Sequence, residues 1–213
     1  MLRRLVGAML LLSVPLALHG CSEGSGPTGP DMTDPSSPND DDPTTTFDSN
    51  ASPGASAEAF LDDADFSLLR VEIDYMTGYE PTAEAIDSLE SALREHLSKS
   101  SIEVQTPTSI PAAGNDSYDS DAIRDLEAQH RDHVTRAESD TLWAYMLVVD
   151  GEYSQSNVLG IAYYNTSMAF FGKKIDEISG GLNQPSQQKV EATVFRHEFG
   201  HNLGLVNNGT PMQ

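Results

Sequence analysis

His197, Glu198 and His201 stand in the order HExxH within one short run of the chain. Histidines at i and i+4 share one side of an α-helix, so both imidazoles can turn a nitrogen toward a single ion. Zn2+ accepts such donors, and a catalytic zinc site keeps three protein ligands and one position for water. Glu198, next to the first histidine, leans toward the same cleft without being needed as a ligand. It is placed to take a proton from water held on the ion, so the chemistry expected of these residues is metal-assisted hydrolysis.

A helix must carry them. Pro185 and Ser186 make a good helix start, and the spacing predicts a helix from about Pro185 to Leu203. Val190, Val194, His197 and His201 fall on one face, and Ala192, Phe195, Phe199 and Leu203 form an apolar stripe roughly opposite. A helix apolar on two sides is expected to be buried. Gly204 falls where the chain must leave the helix, because glycine tolerates the left-handed conformation that closes a helix C-terminus. The turn there is expected to swing Asn207 back toward the metal.

On His197, Glu198, His201 and Gly204, which match HExxHxxGxxH, the chain resembles the metzincin zinc peptidases. Gly204, Leu205, Val206 and Asn207, with Gly209, Thr210 and Pro211 after them, are similar to archaemetzincin-like bacterial lipoprotein peptidases. The resemblance implies a zincin-like α/β (α+β) domain with a mixed sheet, a buried HExxH active-site helix, bound Zn2+ and a protein or peptide substrate. Asn207 departs from the pattern: it stands where the family places its third zinc ligand, and a neutral amide is a poor donor beside imidazole or carboxylate. No His, Cys, Asp or Glu follows His201, and Met212 comes too soon to be the family's methionine turn. Three explanations stay open: a missing C-terminal subdomain, an upstream third ligand, or a degenerate site. The missing subdomain is the one expected here, because two ligands leave a zinc site unclosed.

Upstream, His130 and His133 lie in a stretch from Asp121 to Arg136 that has helical spacing, with Ile123, Leu126 and Val134 on one face. They are expected on a solvated helix surface rather than on a metal.

At the N-terminus Arg3 and Arg4 precede an apolar run from Leu5 to Leu18, too short for an ordinary membrane span and fitting an export signal over residues 1–20. Leu18, Gly20 and Cys21 resemble a bacterial lipobox, from which His19 departs in a slot usually filled by a small residue. Cys21 is the only cysteine, which removes internal disulfides and a cysteine-ligated zinc cluster. A lipid on Cys21 would anchor the protein to a membrane without a spanning helix. The expected location is therefore the bacterial cell envelope. In a double-membraned cell, Ser22 after the cysteine implies the outer membrane or cell surface. Residues 21–57 are rich in Ser, Pro, Gly, Thr, Asp and Asn, and read as an acidic tether that cannot bury enough apolar area to order itself.

Residues 58–213 have the length of one domain. Strands are expected at Leu68 to Tyr75, Ile102 to Gln105, Leu142 to Val149, Val158 to Tyr164 and Ser167 to Phe171, with helices at Pro81 to Leu97 and Asp121 to Arg136. If the resemblance holds, Val158 to Tyr164 is the edge strand on which an extended peptide pairs, and Tyr163 and Tyr164 are candidates to flank it. Trp143 reads as core. The net charge of −21 argues against nucleic acid as a partner, since both would be negative. The expectation is a membrane-anchored zinc endopeptidase. The alternative is a non-catalytic surface lipoprotein that keeps the scaffold for binding.

Overall fold

The computed structural model describes residues 47–206. The signal segment, Cys21, most of the expected tether, Asn207 and Met212 lie outside the described residues. What is described is a mixed α/β fold built on a mostly parallel sheet.

Strand β1 (Leu68–Met76) pairs in parallel with β2 (Ser101–Val104) and, further along the same edge, with β3 (Thr108–Ile110). Its other edge pairs in parallel with β5 (Thr141–Val149), which pairs in parallel with β8 (Ser167–Phe171). Strand β7 (Gly160–Tyr164) joins β8 antiparallel and ends the sheet, giving the order β2-β1-β5-β8-β7. Short β4 (Ser117–Tyr118) and β6 (Glu152–Tyr153) pair separately. β5 is apolar almost throughout because a central parallel strand is covered on both faces.

Alternation along β1 divides the core. Leu69, Val71 and Ile73 face one side, with Leu142, Ala144, Met146 and Val148 of β5. Helices α2 (Ala83–His96) and α5 (Gln187–Asn202) cover that side and pack on each other. α2 presents Ala85, Leu89 and Leu93 at helical spacing, as its amphipathic pattern requires. The short α1 (Ala57–Leu61) adds Phe60, whose ring meets Phe199 of α5 edge-on at 5.8 Å. After β8 the chain turns directly into α4 (Gly172–Ile178), an element the sequence reading did not anticipate; Gly172 has no room for a Cβ because the Tyr79 ring lies on it.

The second face carries Ile123 of α3 (Ser120–His130) with Met76, Tyr145, Leu147 and Phe171. This helix ends six residues short of the expected Arg136. Arg131 adopts an extended backbone, and the amides of Asp132 and His133 donate to the Glu72 carboxylate at 2.7 and 2.9 Å. Glu72 thus captures donors that a longer helix would have used internally. His133 stacks on Trp143 at 4.1 Å, so His130 and His133 do not share a helix face. The folded part also begins before residue 58: Phe47 meets Phe66 at 5.1 Å, and buried Asn165 holds the backbone of Asp48, Ala51 and Ser56. One aromatic ring and one buried amide tie down a segment whose composition reads as tether.

The second face is unusually polar beside β1. Asp74, 4 % exposed, accepts the Tyr145 hydroxyl at 2.9 Å. Burial raises its pKa above the ordinary 3.8, the Tyr145 hydrogen bond opposes this, and the nearby Glu72 and Asp132 carboxylates add to it. The folded chain therefore holds this proton more tightly than the unfolded chain. Its contribution to stability is complete below the ordinary carboxylate value and is lost as pH rises through the raised folded value. Asp74→Asn keeps an acceptor for Tyr145 and removes the buried charge. We expect a higher Tm than wild type at pH 7.5, with the gap closing as pH falls toward 4. Thermal melts across that range check this, and a pH-independent loss of stability would contradict it.

Candidate metal centre

Helix α5 is locked before it reaches the histidines. Glu191, 4 % exposed, accepts from the amide and hydroxyl of Thr82 at 2.9 and 2.5 Å, which ties α5 to the start of α2. Gln187 donates to the other Glu191 oxygen at 3.0 Å. One turn on, Phe195 packs against Phe170 of β8 with ring centres 4.6 Å apart. The predicted stripe of Ala192, Phe195, Phe199 and Leu203 is buried. Rotation of the helix about its axis is fixed by these contacts, and with it the direction in which His197, Glu198 and His201 point.

The helix ends as its sequence requires. Gly204 has φ +67°, its amide donates to the His201 carbonyl at 3.1 Å, and the Leu205 amide donates to the Gly200 carbonyl at 2.9 Å. These two bonds are the Schellman pattern. A Cβ at Gly200 would lie 2.9 Å from Val206 Cγ2, so the chain returns along the helix on the Gly200 side. Gly54, in the folded N-terminal segment, sits against the His201 carbonyl and Gly204, where a Cβ would be 3.0 Å from the carbonyl oxygen.

His197 is half-buried, His201 is buried, and Glu198 is 0 % exposed. The two imidazole centres are 5.0 Å apart and nearly perpendicular, at 87°. Two imidazoles bound through nitrogen to one tetrahedral zinc have ring centres about 5 Å apart, given Zn–N bonds near ~2 Å. The separation therefore suits a shared ion without rearrangement of the helix. His201 Nε2 lies 3.9 Å from Glu198 Oε2, too far for a hydrogen bond and close enough for both to face one reacting centre. Among the described residues no group of three or more His, Cys, Asp or Glu is placed to hold a metal, so a third donor is not found there.

Gly160 completes the arrangement, and sequence reasoning missed it. It opens β7, the sheet edge, directly over the helix; a Cβ there would stand 2.8 Å from Glu198 Cγ, 2.9 Å from Val194 Cγ1 and 3.1 Å from Glu198 Oε1. The missing side chain is what lets the Glu198 carboxylate lie under the strand. The available signal was a glycine at the head of a strand pattern, which marks close approach of backbone to another group.

Tyr163 and Tyr164 do not join the histidines. They occupy the far end of β7, with ring centres 5.3 Å apart. Tyr163 packs into the second-face core, its hydroxyl buried, and burial together with neighbouring Glu127 holds its pKa well above the ordinary tyrosine value. Tyr164 lies under the Arg124 guanidinium at 5.2 Å. Trp143 is buried as expected, between Arg70 and His133. Among the described residues no helix is long and apolar enough to cross a membrane. Comparison with family models, with curated proteins and with solved structures gave no match.

Proposed function

We propose that the chain is a zinc-dependent endopeptidase of the metzincin-like, zincin type, held at a bacterial cell envelope through Cys21. The observation that carries this reading is the convergence of the His197 and His201 rings, 5.0 Å apart, beside a fully buried Glu198 under an edge strand. His197 and His201 would hold the ion. Zinc, when bound, supplies a Lewis acid that lowers the pKa of water and polarises a peptide carbonyl.

The protein's own part is positioning and proton transfer. α5 holds both imidazoles on a rigid element, which is what a precise metal site needs. Glu198 accepts the proton of the attacking water at its carboxylate and returns it to the leaving amine, the same group serving as base and then acid. Burial keeps bulk water from competing for that proton. Among the described residues β7 pairs only with β8, so its outer backbone groups suit an extended peptide added as a further strand. The expected substrate is therefore a peptide bond in an extended segment of protein.

The test is metal content and cleavage measured together on the full chain. The purified protein is expected to carry one zinc per chain and to cut an unfolded protein substrate. A strong chelator should stop the cutting and added Zn2+ should restore it. Absence of zinc at stoichiometric level, with no cleavage after zinc is supplied, would replace this reading with that of a surface lipoprotein whose scaffold serves binding.

A further inference from the structure

Beyond Gly160, β7 runs into a concavity. A cleft of about 440 Å3 lies between α3 and the end of β7, walled by Arg124, Ala128, Val134, Tyr164 and Asn50. Two guanidinium groups border it, and they differ in what they have left to give. Arg131 is spent: it pairs with Glu127 at 2.7 Å and donates to the His133 and Trp143 carbonyls at 2.6 and 3.1 Å. Glu127 is spent likewise, since it also accepts the Ser167 hydroxyl at 2.6 Å.

Arg124 is different. Its ion pair is with Asp121 at 2.9 Å, a neighbour on the same helix whose side chain is 88 % exposed. Such a surface pair contributes little and is readily exchanged. Among the described residues Arg124 donates from Nη1 to Asp121, its Nε is buried without a hydrogen-bond partner, and its side chain is 41 % exposed, so the open end of this guanidinium has donor capacity that these contacts leave unused. It also lies over the Tyr164 ring, which fixes its plane. Val134, apolar and 53 % exposed, supplies a second wall that water does not favour. A planar cation between an aromatic ring and an exposed aliphatic group recognises a carboxylate on a short apolar stem.

The position of the cleft follows from the strand. Tyr164 stands four residues after Gly160, which lies over Glu198, and about 13 Å separates them at the usual rise of a strand. A β-bulge between Ala162 and Tyr164 interrupts the alternation, so Tyr164 turns toward Arg124 instead of following Gly160 and Ala162. A peptide lying along β7 with its reacting bond at Glu198 would bring its fourth residue from that bond to Arg124.

We propose that this cleft is a carboxylate subsite, with Arg124 as its cation and Tyr164 and Val134 as its walls, selecting substrates with an acidic side chain about four residues from the cleaved bond. This rests on the peptidase reading of the metal centre. It is tested on the full chain with amidated peptides in which a single Glu or Gln is moved through every position. At one position, about four residues from the cut, Glu is expected to be favoured over Gln by about tenfold in kcat/KM, carried mainly by KM. In Arg124→Gln that ratio should fall to near one. Val134→Asp, at an exposed position, should reduce it as well by placing a like charge in the wall. No positional preference in wild type, or one that survives Arg124→Gln, overturns the proposal. A matched Gln peptide with a free C-terminal carboxylate is included; if that peptide is preferred and Glu is not, the side-chain assignment is overturned. Fluorescence anisotropy of the labelled Glu peptide on Glu198→Gln protein reads the cleft without turnover. Binding there that depends on Arg124, with a zinc-supplied wild type that cuts nothing, supports the carboxylate site and overturns the peptidase reading alone.

Discussion

Glu198→Gln is expected to keep one zinc per chain and to lose peptide hydrolysis by about a hundred- to ten-thousandfold, the range that a positioned general base supplies. The substitution changes almost no volume, so α5 and its packing should survive in a residue that is 0 % exposed. What is lost is the ability to accept and return a proton, which a carboxamide lacks. His201→Ala is the matched control, because it removes a donor from the proposed ion and should lower zinc content itself. The contrast matters more than either loss alone: metal kept with activity gone separates a proton-transfer role from a ligand role. If Glu198→Gln sheds the zinc, Glu198 belongs among the ligands, and if it still cuts, another base does the work.

The parts of the fold that could be read from residues are those where a local rule and the tertiary environment agree. α5 begins at Gln187 with Ser186 as its N-cap, two residues after the expected Pro185, carries two apolar sides into a core that covers both, and stops at a glycine with φ +67°. β5 reads as a continuous apolar run because both of its faces are covered, and the β7–β8 hairpin is visible from two short β-rich runs around Asn165 and Thr166. Reading failed where a distant side chain overrides the local pattern. Nothing near Arg131 announces that Glu72, on another strand, takes the amides of Asp132 and His133 and ends α3 early. Nothing in a Ser- and Asp-rich stretch announces that Asn165 will hold its backbone. At the site the same division holds. The two histidines and Glu198 are legible because i, i+4 spacing is a local geometry, whereas their meeting with Gly160 depends on how β7 crosses α5. Tyr163 and Tyr164 read as site candidates from their place on the edge strand, but strand length carries them away from the histidines.

Gly160→Ala is expected to lower kcat by about a hundredfold while leaving zinc content and KM near wild type, since misplacing a reacting group by about 1 Å costs on that order. The added methyl would stand 2.8 Å from Glu198 Cγ and 3.1 Å from its Oε1, far inside ordinary carbon contacts. Glu198 is fully buried, so its carboxylate can yield only by moving relative to the two imidazoles, or β7 must lift from the helix. Val194 Cγ1, 2.9 Å from the same point, is the other obstacle, and it offers a way to tell crowding from positioning. In Gly160→Ala with Val194→Ala the packing clash with the helix is partly relieved, so thermal stability should recover toward wild type. The contact with Glu198 is not relieved, so kcat should stay low. Recovery of kcat together with stability would show that the glycine serves only the packing of strand on helix. Its persistence at the low value would place Gly160 among the residues that aim the carboxylate, and would explain why the sheet edge carries a residue with no side chain where it crosses the histidine helix.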